Sequence, residues 1–140
     1  MQIYQGVDIV EIRKFRGVFS GNNDLVLDIF TEKERQYCLS FKDPYVRFAG
    51  RFASKEACLK ALGVGLYEPG NSHVFQEIEV VSSSSGKPAL SMSGWIEKIR
   101  KKRRIIQSTL SISHSSSLCI ATVMMLGGRN ERTYFAGIQV

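Results

Sequence analysis

The chain has 140 residues, 44% of them hydrophobic and 23% charged, with a formal net charge of +6. That size and composition imply one domain over 1–140 with a core of its own, and they exclude a disordered chain. The surplus of cations favours an anionic partner, and no apolar run reaches the roughly 18 residues of a membrane-spanning helix, so no membrane partner is expected.

Residues 1–10 are rich in Ile and Val and predict a buried strand. From Glu11 the period changes, with Ile12, Phe15 and Phe19 on one helical face and Arg13, Lys14 and Arg16 on the other. Gly21-Asn22-Asn23-Asp24 predicts a turn and cap before a short apolar helix through Phe30. Thr31 and Glu34 form a capping-box pattern that opens a helix to about Ser40. Asp43-Pro44 starts the next helix, which runs to Leu62 and stops at Gly63. Ala49, Ala53, Ala57 and Ala61 recur every four residues along it, a ridge narrow enough for close packing on a sheet.

Gly63 to Ser72 reads as a loop, Val74–Val81 as a strand, Ser82–Pro88 as a hairpin turn and Ala89–Met92 as the return strand. Trp95–Arg104 predicts a basic amphipathic helix, and Thr109–His114 and Leu118–Leu126 two more strands. The tail from Gly127 is rich in Gly and Arg before turning apolar at Tyr134–Val140. Cys38, Cys58 and Cys119 are odd in number and lack metal-type spacing. They read as reduced, buried thiols, and with no visible leader segment the expected location is cytoplasmic.

Two carboxylates carry the most information. Asp8 lies in the strand Gly6-Val7-Asp8-Ile9-Val10, and Glu56 lies mid-helix in Arg51-Phe52-Ala53-Ser54-Lys55-Glu56. Alone, each has an ordinary explanation: Asp8 as a strand-end acid, Glu56 as half of a solvated pair with Lys60 four residues on. Brought together, they would make an oxygen-only site suited to Mg2+ beside a phosphate. Ser111-Ile112-Ser113-His114-Ser115 alternates hydroxyls on one face with Ile112 and His114 on the other. Glycine-rich phosphate loops are absent, so basic side chains and metal would have to hold any phosphate. The run from Lys98 to Arg104 is the strongest charge feature, but without aromatic interleaving beyond Trp95 it suits a solvated face better than a nucleic-acid platform.

These segments together resemble the holo-acyl-carrier-protein synthase family, the small phosphopantetheinyl transferases. The likeness rests on Gly6–Ile12, on Phe48–Ala57 continuing through Lys60-Ala61-Leu62-Gly63 and Gly65, on Gly86-Lys87-Pro88, and on Ser111–Ser115. It implies an α+β fold: a small antiparallel sheet packed against a long central helix and shorter helices. It also implies an enzyme that moves the 4'-phosphopantetheine arm of coenzyme A to a serine of apo acyl carrier protein, releasing 3',5'-ADP, with fatty acid synthesis as the default setting.

By the same resemblance Asp8 and Glu56 are the Mg2+ ligands, and Lys60 stands near the pyrophosphate as a third catalytic residue. Arg51, Lys55, Gly86, Lys87, Pro88, Ser113 and His114 are candidate coenzyme A contacts. Arg13, Lys14 and Arg16 form the candidate face for docking an acidic carrier. Short family members imply a homotrimer with active sites between subunits. Two other readings stand beside this one: a basic nucleic-acid module using Lys98–Arg104, and a relative that binds coenzyme A without catalysis.

Overall fold

The computed structural model describes residues 1–64 and 73–128. Most of the predicted Gly63–Ser72 loop, Gly65 included, and the tail beyond 128 lie outside the described residues.

Strand β1 (Gln2–Glu11) buries Tyr4, Gly6 and Val10 on one face, with Asp8 in the same row. It leads directly into helix α1 (Ile12–Phe19), whose buried residues are Ile12, Phe15 and Phe19, as their spacing requires. Helix α2 (Asn23–Ile29) is capped by Asn22, which accepts from the Leu25 N–H. Helix α3 (Glu32–Leu39) opens with a complete capping box between Thr31 and Glu34. Helix α4 (Pro44–Leu62) begins at an Asp43 cap with Pro44 in the first turn and ends at Gly63, at φ +63°.

Strands β2 (Ile78–Ser82) and β3 (Pro88–Met92) form a hairpin, followed by α5 (Gly94–Lys102), β4 (Ile105–His114) and β5 (Leu118–Gly127). β2 starts four residues later than the apolar pattern of Val74–Val81 predicts, because residues 73–77 are taken up by a turn. β4 starts four residues earlier than its predicted start at Thr109, where α5 has already ended.

The architecture is α+β. One antiparallel sheet has the order β1-β5-β4, and the β2–β3 hairpin makes a second. Helix α4 lies across the inner face of the larger sheet. Its ridge of Ala49, Ala53, Ala57 and Ala61 is buried throughout, against Ala121, Val123 and Leu110 in the same core. The closest approach is at Gly6: a Cβ there would stand 1.9 Å from the Ala57 carbonyl oxygen and 2.6 Å from the Ala61 nitrogen. Only glycine lets strand and helix backbones touch at this point. A cluster of Phe15, Phe19, Phe30, Phe48 and Phe52 closes the other side of α4, with Phe15 and Phe19 stacked 4.1 Å apart. Each buried ring contributes about 2 kcal/mol of transfer free energy.

Candidate active site

Because β1 meets α4 at Gly6, the residue two places on, Asp8, stands beside the next turns of the helix. The Lys60 ammonium donates to Asp8 Oδ1 at 2.9 Å and to the Val7 carbonyl at 3.1 Å. A helical pair between Glu56 and Lys60 is the local alternative, but Lys60 reaches across to the strand instead. Asp8, Glu56 and Lys60 line one cleft of about 510 Å³. Its remaining walls are largely apolar, from Ile9, Val10, Phe15, Val18 and Phe52, with Glu11 and Lys14 at the α1 side. Burial raises the Glu56 pKa above the ordinary carboxylate value, and the Asp8 charge raises it further, against a smaller opposing pull from Lys60.

A second cleft, of about 240 Å³, opens elsewhere along α4. Arg47 and Arg51 reach it from α4, Tyr37 from α3, Gly86 and Pro88 from the hairpin, and His114 from the end of β4. The Arg51 guanidinium lies 3.8 Å from the Tyr37 ring centre, and that of Arg47 lies 4.2 Å from the centre of Phe41. Arg51 is buried, and its Nε has no hydrogen-bond partner among the described residues. A buried guanidinium with an unused donor, next to an imidazole and a glycine turn, suits an anion.

Known proteins match this arrangement. The family model described as the 4'-phosphopantetheinyl transferase superfamily matches residues 5–123. A holo-[acyl-carrier-protein] synthase of Chlamydia pneumoniae is 42% identical over 125 residues, covering 89% of this chain and 97% of the relative. One from Syntrophotalea carbinolica is 40% identical over 123 residues, covering 87% of this chain and 94% of the relative. The chain belongs to the 4'-phosphopantetheinyl transferase superfamily.

Solved structures agree. A Chronobacterium ammoniagenes ACPS–CoA complex superposes with a TM-score of 0.80 at 28% identity, covering 92% of this chain and all of the other. The Helicobacter pylori holo-[acyl-carrier-protein] synthase in complex with coenzyme A superposes with a TM-score of 0.72 at 30% identity, covering 87% and 99%.

Within this superfamily chain the sequence-predicted residues divide. Asp8, Glu56 and Lys60 meet in the first cleft; Arg51, Gly86, Pro88 and His114 meet in the second. Lys87 is exposed at the hairpin turn, outside both linings. Two expectations need correction. Lys55 is not free to touch a ligand. It is fully buried, and its ammonium is spent on Glu34 Oε1 (2.7 Å) and the Phe75 and Ile78 carbonyls (2.7 and 2.8 Å). Ser113 enters neither cleft; it pairs with Ile120, which pairs with Ile9, in a row on the outer face of the sheet. The alternation of β4 gives the inner face to Ile112 and His114.

Sequence reasoning missed Arg47 and Tyr37. The signal for Arg47 was available, since it stands one helical turn before Arg51. The basic run is partly used by the fold: Arg100 holds Glu97 and the Ile105 carbonyl, and Arg103 donates to the Leu62 carbonyl.

The donor set of the first cleft suits a hard divalent cation. It offers Asp8 and Glu56 as oxygen donors, Glu11 stands at the α1 side, and the lining has no thiolate or imidazole. Among the described residues no group of three or more His, Cys, Asp or Glu is placed to hold a metal alone. Two carboxylates leave most of an octahedral shell to water and substrate oxygens, the usual arrangement for Mg2+ held against a phosphate.

Proposed function

We propose that this chain, working as a single domain, transfers the 4'-phosphopantetheine group of coenzyme A to a serine of an apo acyl carrier protein. The observation that carries the reading is the convergence of Asp8, Glu56 and Lys60 in one cleft of a chain matched by the transferase family model over 119 of its 140 positions, from 5 to 123.

In this reading the serine oxygen bonds to the phosphorus that bears the pantetheine arm, and the bond from that phosphorus to the oxygen of 3',5'-ADP breaks. Glu56 accepts the serine proton directly or through water. Lys60 stabilises the departing phosphate, which leaves as 3',5'-ADP. Asp8 and Glu56 are the residues that would hold Mg2+, which would neutralise charge on the phosphoryl oxygens. Arg51, His114 and the Gly86-Lys87-Pro88 turn receive the phosphates and adenine of coenzyme A, with Arg47 added to that set.

Arg13, Lys14 and Arg16 on α1 dock the acidic carrier. Among the described residues Arg13 has no ion pair, Lys14 stands 3.6 Å from Glu11, and Arg16 is held by Asp43 at 2.7 Å, so Arg13 is the freest contact. A homotrimer is supported by the outer face of the larger sheet. There Ile3 (65% exposed), Val7 (47%), Ile9 (61%) and Met124 (47%) form an apolar surface of the kind that partners cover. The family resemblance implies that in such a trimer the first cleft of one subunit works with the second cleft of its neighbour. We place the enzyme in the cytoplasm, with a fatty-acid carrier as its substrate.

The test is direct. The protein is incubated with coenzyme A, Mg2+ and apo carrier protein, and the carrier is weighed by mass spectrometry. A gain of one phosphopantetheine group is expected, and an unchanged carrier mass across a panel of carriers overturns the reading.

A further inference from the structure

The Glu34–Lys55 pair is the most deeply buried charge in the described molecule that the proposed reaction does not use. Both side chains are fully buried, 2.7 Å apart. Replacing such a pair with apolar residues of similar size is often neutral or stabilising, so stability alone is a weak reason for its presence. What the pair adds is direction. Glu34 accepts from the Thr31 N–H at 2.9 Å and the Val80 N–H at 3.0 Å. Lys55 donates to the carbonyls of Phe75 and Ile78. One ion pair thereby binds four main-chain groups in three segments: the start of α3, the turn before β2, and β2 itself.

The β2–β3 hairpin is a separate sheet, outside the ladder of the larger one. Ile78 and Val80 are buried beneath it, but apolar contact is non-directional and allows sliding. Val80 and Ser82 are two residues apart on β2, and Ser82 pairs with Pro88 across the turn. The bond from Val80 to Glu34 therefore fixes the strand that carries the rim of the second cleft. Lys55, one turn after Arg51 on α4, fixes it relative to the helix that carries the arginines.

We propose that Glu34 and Lys55 are positioning residues for the second cleft: together they set where the Gly86–Pro88 turn stands against the Arg47–Arg51 stretch of α4, and so how well that cleft fits the phosphates of coenzyme A. The proposal rests on the reading of that cleft as the coenzyme A site.

The experiment compares wild type with a Glu34→Leu/Lys55→Met double variant. The expected result is a folded protein with a lower Tm, because four main-chain groups lose their partners, a KM for coenzyme A raised about tenfold, and a kcat within about twofold of wild type. Met125→Ala, a core truncation on β5, is expected to lower Tm without moving that KM. A folded double variant with the wild-type KM overturns the proposal, because apolar packing then places the hairpin equally well. If the double variant does not fold, Glu34→Gln decides. It keeps the volume but cannot accept from Val80 while also accepting from Lys55, and it should show the same rise in KM. A wild-type KM in Glu34→Gln, or failure of that variant to fold, overturns the positioning role. A wild-type protein that modifies no carrier and shows no saturation by coenzyme A overturns the reading of the cleft itself, and the proposal with it.

Discussion

The two clefts share α4 but are built differently. The first is assembled by backbone touching backbone: Gly6 on Ala57 and Ala61 leaves Asp8 no freedom to stand elsewhere. The second is assembled from five segments, and its hairpin wall is held through a buried ion pair. In the first, the side chains of Lys60 and Asp8 are 54% and 15% exposed and both line the cleft. The deeper charges near the second are spent on the fold, except for the unused donor of Arg51. In the proposed reading, the site for the reacting atoms is placed by steric contact, and the site for the bulkier anion by directional polar bonds.

The contrast can be broken at several points. The largest effect is expected from Glu56→Gln, which should reduce turnover by roughly 10²–10³-fold. The same change should raise Tm in metal-free buffer near neutral pH. Because the folded pKa of Glu56 is raised, the unfolded chain binds fewer protons through the window above the ordinary value, and stability falls as pH rises through it. Gln removes that penalty, so the gain should shrink as the pH approaches 4.5, the reference value. A thermal melt series with and without EDTA checks both signs.

Next is Gly6→Ala. Its Cβ cannot be placed beside the Ala57 carbonyl without moving strand or helix, so a loss of about 3 kcal/mol in denaturant unfolding is expected, with activity falling in the surviving folded fraction. Arg51→Ala acts on the second cleft alone. It should raise the KM for coenzyme A about tenfold while changing kcat little, as measured by steady-state turnover. A smaller effect is expected for the thiols. Burial pushes Cys38 and Cys58 up to about 12, so neither should be alkylated in the native protein at pH 8, and all three cysteines should react after unfolding. The smallest is Lys101→Glu with Lys102→Glu. These exposed residues of α5 line neither cleft and should leave turnover within about twofold.

Much of this was legible without coordinates where the cause was local. The spacing of Ile12, Phe15 and Phe19, the Thr31–Glu34 capping box, the Asp43-Pro44 start and the Gly63 stop each depend on neighbours within a few residues, and each stands as the sequence predicts. Lys55 was offered as a ligand contact by the family resemblance, and nothing near it in the chain shows that Glu34, 21 residues away, takes up its ammonium. Ser113 was misread for a different reason. A hydroxyl beside His114 on a strand belongs to the opposite face.

By itself the sequence determined the elements, the apolar ridge of α4 and the residue types able to bind an anion and a hard cation, since periodicity and side-chain chemistry are properties of short segments. Only the tertiary structure decided which of these groups meet. It gave Lys60 to Asp8 rather than to Glu56, buried Lys55 against Glu34, and divided the candidate residues between two clefts. Those choices depend on how closely two backbones can approach and on which buried polar groups must find partners, and no local pattern encodes either.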